Sequence, residues 1–312
     1  MVEDNQIEAK SSPFAIREGE IKVFDGKDGY VSMNQIVHKI NIGHINDLHF
    51  KILELVNEFE FITSRQLCQM LSWKGIDYKS QDKLNNKLEQ LVKSKILTRY
   101  YFSSEEGKGI YRIYCLEKMG KYLLNSKEIE CKWQPTDNTK PVAMIKKRLA
   151  GNQTIIAYLR KVKAFDEYTV KPTITAKTLS KTFKATGGSV KLTKNNKSII
   201  FLFEVIRREE DWEKKLIDKM RLYQDFYANF VPGDSGFNAM PQLIFVCEDE
   251  KNMAETFKEI VTNKLEIPQI KLYYTTDLRQ NNETLSKTLV EFKLDETTNK
   301  YKMEDVELKL LD

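Results

Sequence analysis

The 312-residue chain is 41% apolar, with 50 Lys and Arg against 45 Asp and Glu, which suffices in length for two ordinary domains and in bulk for their cores. It has no apolar run near the roughly 18 residues that span a bilayer. Its start, MVEDNQIEAK, lacks the features of a signal peptide, and Cys68, Cys115, Cys131 and Cys247 form no CxxC pair, so a soluble cytoplasmic protein without disulfides or a zinc site is expected. Charge is unevenly spread. Residues 140–203 carry 14 basic side chains and only Asp166 and Glu167 as acids, a balance of +12, while 1–139 is neutral and the remainder stands at −7. Such one-sided loading points to a polyanionic partner, with nucleic acid the first candidate.

Residues 1–13 read as a frayed polar end, and IKVFDGKDGYVSMNQIV alternates around DGKDG as a β-hairpin would. In HINDLHFKILELVNEFEF, residues Leu48, Ile52, Leu55, Val56 and Phe59 recur at helical steps. Thr63 with Gln66 predicts a capping box opening a second helix. Ser80 predicts the cap of a third, with Leu84, Leu88, Leu91 and Val92 turned inward. LTRYYF and IYRIYCL, joined by SSEEGKG, predict a second hairpin, and EKMGKYLLN a short closing helix. Three helices followed by a hairpin is the order of a winged helix-turn-helix, whose third helix can enter a major groove beside the wing. The outer side of that helix offers Lys79, Gln81, Lys83, Asn86 and Lys87, and the wing offers Lys108 and Arg112. Lysine suits phosphate, and Asn and Gln suit adenine edges. The same residues would also serve to solvate a surface helix, or a winged helix that docks protein.

Residues 126–141, polar and flanked by prolines, read as a linker. Beyond them come one long helix (VAMIKKRLAGNQTIIAYLRKVKAF), strands at YTVKPTI, SVKLTK and KSIIFLFEVI, the amphipathic helix REEDWEKKLIDKMRLYQDFYANF, the strand MPQLIFVCED, the helix NMAETFKEIV and the strand QIKLYYTTD. The expected fold class is α+β: an extension with a hairpin (1–44), a winged helix-turn-helix (45–125), the linker, and an α/β domain with a mixed sheet (142–312).

On the helix at 142–163, the strand FLFEV with its charged helix EKKLIDKMRLYQDFY, and the strands PQLIFVCEDE and YYTTD, the chain resembles plasmid replication-relaxation proteins. In that family a winged helix precedes a domain similar to the PD-(D/E)XK nucleases. The resemblance covers about residues 45–280 in element order and implies a DNA-associated accessory role in replication, relaxation or mobilisation of a plasmid or mobile element.

Metal-dependent cleavage on that fold needs an Asp at the start of one strand and Glu-x-Lys or Glu-x-Asp on the next, binding Mg²⁺. Glu204 of FLFEVI falls at the glutamate position, but Ile206 stands where Lys or Asp belongs, and Gly187, Gly188 and Ser189 stand where the Asp belongs. Glu204 is therefore expected to be ion-paired, with Lys215 or Lys191, rather than to hold metal. His38, His44 and His49 lack an accompanying acid and nucleophile and are expected to be structural. No catalytic residue, metal or cofactor is expected; Glu204 and Mg²⁺ would enter only if the chain were an endonuclease. The expected function is sequence-specific duplex-DNA binding, with Lys146, Lys147, Arg148, Lys181, Lys184 and Lys191 adding phosphate contacts to those of the winged helix. Homodimerisation and docking to replication or transfer proteins stay open as alternatives.

Overall fold

The computed structural model describes residues 12–76, 80–105, 107–295 and 300–311, with the backbone alone at 107–110, 295 and 300. They form two compact units: residues 17–156, and residues 12–16 together with 157–311. The fold is α+β.

In the 17–156 unit, β1 (Ile21–Phe24) and α1 (Met33–Asn41) precede α2 (Asp47–Phe59), β2 (Ile62–Thr63), α3 (Ser64–Trp73), α4 (Gln81–Lys93), β3 (Leu97–Ser104), β4 (Gly107–Leu116) and α5 (Lys118–Asn125). The capping box forms at α3: Thr63 Oγ1 accepts from the Gln66 amide at 3.2 Å, and Gln66 Oε1 accepts from the Thr63 amide at 3.1 Å. Ser80 accepts from the Lys83 amide at the start of α4. Leu84, Leu88, Leu91 and Val92 of α4 are buried, against a core that also holds Ile52, Leu55, Val56 and Phe59 of α2 and Leu67, Met70 and Leu71 of α3. This is the helix and strand order of a winged helix.

Two expectations here fail. The first hairpin does not exist: β1 pairs antiparallel with β3 (Phe24↔Tyr100), giving a four-stranded sheet of order β1-β3-β4-β2. The residues expected to return as its second strand instead form α1, because Ser32 and Gln35 make a capping box that outweighs a short apolar alternation. The segment 126–141 is folded rather than linking. Cys131 and Trp133 are buried, Trp133 Nε1 donates to Asn138 Oδ1 at 3.2 Å, and Asn138 Nδ2 donates to the Leu116 carbonyl at 2.9 Å.

Helix α6 (Val142–Lys161) is the long helix expected, and the division between the units falls inside it. The second unit continues with β5 (Phe165–Thr169), the hairpin β6 (Thr173–Ala176) and β7 (Lys181–Lys184), then β8 (Gly188–Lys194), β9 (Lys197–Val205), α7 (Trp212–Ala228), β10 (Gln242–Cys247), α8 (Glu250–Thr262), β11 (Leu272–Thr276), α9 (Asp277–Asn282), β12 (Leu289–Asp295) and β13 (Lys300–Val306). Its sheet runs β13-β12-β11-β10-β9-β8-β5. β9, β10 and β11 are parallel to one another, and β5, β8 and β9 form an antiparallel meander. Parallel neighbours require crossovers, which α7 and α8 supply. Leu216, Met220, Tyr223 and Phe226 of α7 and Met253 and Ile260 of α8 pack with Leu202 of β9 and Leu243 and Phe245 of β10. Near the other end of α6, Tyr158 lies 5.0 Å from the Phe203 ring.

The first described residues belong to this unit as well. Phe14 is buried. Its carbonyl accepts from Arg207 Nε at 3.1 Å, Ser12 Oγ bonds Asp277, and the Ile16 amide donates to Glu248 Oε1 at 3.1 Å. Residues 12–16 thus strap the carboxyl ends of the parallel strands, where Arg207 Nη2 donates to both Asp277 oxygens, at 2.9 and 2.7 Å.

Candidate functional site

In the 17–156 unit, α4 is held by its buried leucines from below and by His49 of α2 from the side. The His49 ring is fully buried; Nδ1 meets Asn46 at the helix start and Nε2 lies 3.2 Å from Gln90 Oε1 of α4. Burial lowers the His49 pKa below its ordinary value; the Gln90 bond opposes that shift and the nearby Lys87 charge adds to it. What α4 then presents outward is Lys83 and Asn86, both exposed, with Gln81 and Lys87 half-buried. Lys79 lies outside the described residues, and so does the side chain of Lys108 on β4.

The wing arginine is engaged. Arg112 Nε donates to Asp25 Oδ2 at 2.7 Å, and Asp25 also takes Arg99 Nε at 2.9 Å. Arg99 in turn reaches Glu89 of α4 at 2.6 Å. The sequence reading missed Asp25 and Glu89, because neither is adjacent in the chain to the arginine it meets.

Part of the basic stretch 140–203 is turned inward. Lys146 is buried and ion-paired with Glu20, with its ammonium 5.3 Å from the Phe102 ring. Arg148 is mostly buried, with Nε 3.5 Å from Glu60, and Lys147 is half-buried. Lys191 pairs with Asp166 at 2.9 Å and Glu167 at 3.4 Å, and its bond holds the Asp166 carboxyl below the usual carboxylate range. Lys146 and Arg148 are therefore corrected from phosphate contacts to internal partners of acids, whereas Lys191 is partly exposed and pairs with surface acids. Lys181 and Lys184 are exposed on β7.

Glu204, on β9, is 3% exposed. Its carboxylate accepts from Thr186 Oγ1 at 2.7 Å, Lys219 Nζ at 2.8 Å and Tyr223 Oη at 2.8 Å. The expected ion pair exists, but with a different lysine: Lys215 is exposed and pairs with Glu209, and Lys191 is held as described above. Lys219 lies one turn before Tyr223 on α7, so both project from one helix face. Tyr223 was legible as an inward residue, and that spacing was the available signal for Lys219. Burial, then the Glu204 charge, hold the Tyr223 hydroxyl far above its ordinary pKa, so it stays a donor.

These residues do not fit a divalent cation. Glu204 is the one carboxylate among these four side chains, and its oxygens already accept from Thr186, Lys219 and Tyr223. Across the strand, Gly187 donates its amide to the Phe203 carbonyl at 2.9 Å. A Cβ at Gly187 would come 2.6 Å from Phe203 Cβ, so position 187 itself has no room for an aspartate. Among the described residues, no group of three or more His, Cys, Asp and Glu is placed to hold a metal, and no helix is long and apolar enough to cross a membrane.

The chain matches no family model and no curated protein. Among solved structures it is similar to that of the restriction endonuclease FokI, at 9% identity and a TM-score of 0.28, over 84% of this chain and 54% of that one. The chain spans about half the length of that protein, and a superposition this loose carries no information about activity.

Proposed function

We propose that the chain is a non-catalytic protein that binds duplex DNA through its winged helix, as an accessory factor of the replication-relaxation type on a plasmid or mobile element. The observation behind this reading is α4: a helix fixed by buried leucines and by His49, with Lys83 and Asn86 exposed and Lys87 beside them. Lysines at that position meet phosphates and Asn86 meets a base edge, while exposed Lys181 and Lys184 add backbone contacts from the other unit. The nuclease-like order of helix α6, the β5-β8-β9 meander, α7 and β10 serves in this reading as a scaffold, with Glu204 as a paired structural carboxylate.

The test is binding of the full chain to a mixed pool of duplex DNA at low and moderate salt with Mg²⁺ present, followed by a denaturing gel. The expected result is intact DNA, affinity that falls steeply with salt, and a salt slope reduced by about 0.9 for each of Lys83→Ala and Lys87→Ala. Cut DNA that Glu204→Ala leaves intact would overturn the non-catalytic reading. Absence of salt-sensitive binding would overturn DNA binding in favour of a protein-docking adaptor.

A further inference from the structure

Five charged side chains alternate in sign along one chain of contacts between α4 and the wing. Lys93 Nζ lies 3.6 Å from Glu89 Oε1, Glu89 Oε2 lies 2.6 Å from Arg99 Nη1, and Asp25 Oδ2 lies 2.9 Å from Arg99 Nε and 2.7 Å from Arg112 Nε. The two arginines are placed differently. Arg99 is 15% exposed and holds two carboxylates, as a largely buried guanidinium requires. Arg112 is 59% exposed, and water could solvate it without any partner. An exposed pair of that kind adds little to stability. Its main effect is on the field outside, because a carboxylate in contact with a guanidinium cancels most of its attraction for an incoming phosphate.

The backbone of Asp25 is anchored to the wing. It follows β1 directly, its amide donates to the Arg99 carbonyl at 2.9 Å, and its own carbonyl accepts from Arg99 Nε at 2.9 Å. β1 itself is an added edge strand, outside the three-helix and hairpin order of the winged helix. The strand thus delivers one carboxylate to both described wing arginines, the largely buried Arg99 and the exposed Arg112.

We propose that Asp25 is a charge brake on the wing: it occupies Arg112 as a phosphate would, and so withholds that arginine from DNA. This rests on the DNA-binding reading above and specifies how the same surface is tuned. Arg112 then contributes to DNA affinity only where Asp25 is removed or displaced.

A double-mutant cycle on the full chain tests this, measured by fluorescence anisotropy on a mixed duplex pool across a salt series. Asp25→Asn is expected to tighten binding about tenfold at low salt and to steepen the salt slope by about 0.9, the value of one further phosphate contact. Arg112→Ala alone is expected to change affinity less than about twofold, and in the Asp25→Asn background to abolish the gain. Asp82→Asn, which removes an exposed acid from α4, controls for charge alone; any gain from it is expected to be smaller and indifferent to Arg112. Asp25→Ser serves as the second variant if thermal melts show that Asp25→Asn is misfolded. If wild type binds and Asp25→Asn is no tighter, or its gain survives Arg112→Ala, the brake is overturned and the DNA reading stands. If neither wild type nor Asp25→Asn binds, both are overturned.

Discussion

A carboxylate inside a sheet is tolerable only when its charge is met. Glu204 is met by an ammonium, a phenol and a threonine hydroxyl. Removing one member of a buried pair leaves the other uncompensated, at about 3–5 kcal/mol. Lys219→Met is therefore expected to lower the urea midpoint of unfolding substantially, and the double change Glu204→Gln with Lys219→Met to restore most of it. Equal losses in the single and the double variant would show that the ammonium is not what stabilises Glu204. That this residue is paired was legible in the sequence, since Ile206 and Gly187 leave no second ligand. The identity of its partner was not. Lys215 and Lys219 differ by one turn of the same helix, and only the rotation of α7 over β9 separates the exposed one from the bonded one.

At the scale of elements, short-range chemistry was legible. Thr63 with Gln66, Ser80, and the leucines of α4 specify their helices through contacts within a few residues. The Asp-Gly turn near β1 misled, because an edge strand can take its partner from far along the chain, and β3 supplied it. Buried His49 ties α2 to α4, and it has a pH consequence. Its folded pKa lies below its ordinary 6.5, so the unfolded chain binds the proton first as pH falls. The stability that neutral His49 contributes is fully present above about pH 6.5 and is lost as pH drops below that value toward the depressed folded pKa. Urea melts at about pH 7.5 and about pH 5.5 are expected to show a loss in wild type that is smaller in His49→Gln. An unchanged pH dependence in the variant would remove His49 as the source.

For the molecule as a whole, residues 12–16 belong with residues 157–311. Phe14 is buried, and its neighbours bond Arg207, Asp277 and Glu248. Phe14→Ala is expected to destabilise that unit by about 3–5 kcal/mol, as for a large aromatic removed from a core. Ser12→Ala, which leaves the Arg207–Asp277 pair intact, is expected to cost only about 1 kcal/mol. Chemical denaturation of the two variants checks the order; a neutral Phe14→Ala would mean that the strap packs without contributing to stability.

The sequence by itself determined the α+β class, the winged-helix order and most helices of both units, α1 and α9 excepted. Each of these depends on periodicity, capping or residue identity within a short window. The tertiary structure alone decided which charges face water. Lys146 meets Glu20, Arg148 meets Glu60, and Arg112 meets Asp25, pairings that join residues some 90 to 130 positions apart. A net charge of +12 over 64 residues is a property of the chain, whereas an electrostatic surface is a property of the fold. The acids that neutralise part of that stretch arrive from elsewhere in the chain, and Coulomb attraction depends on distance in space and not on separation in sequence.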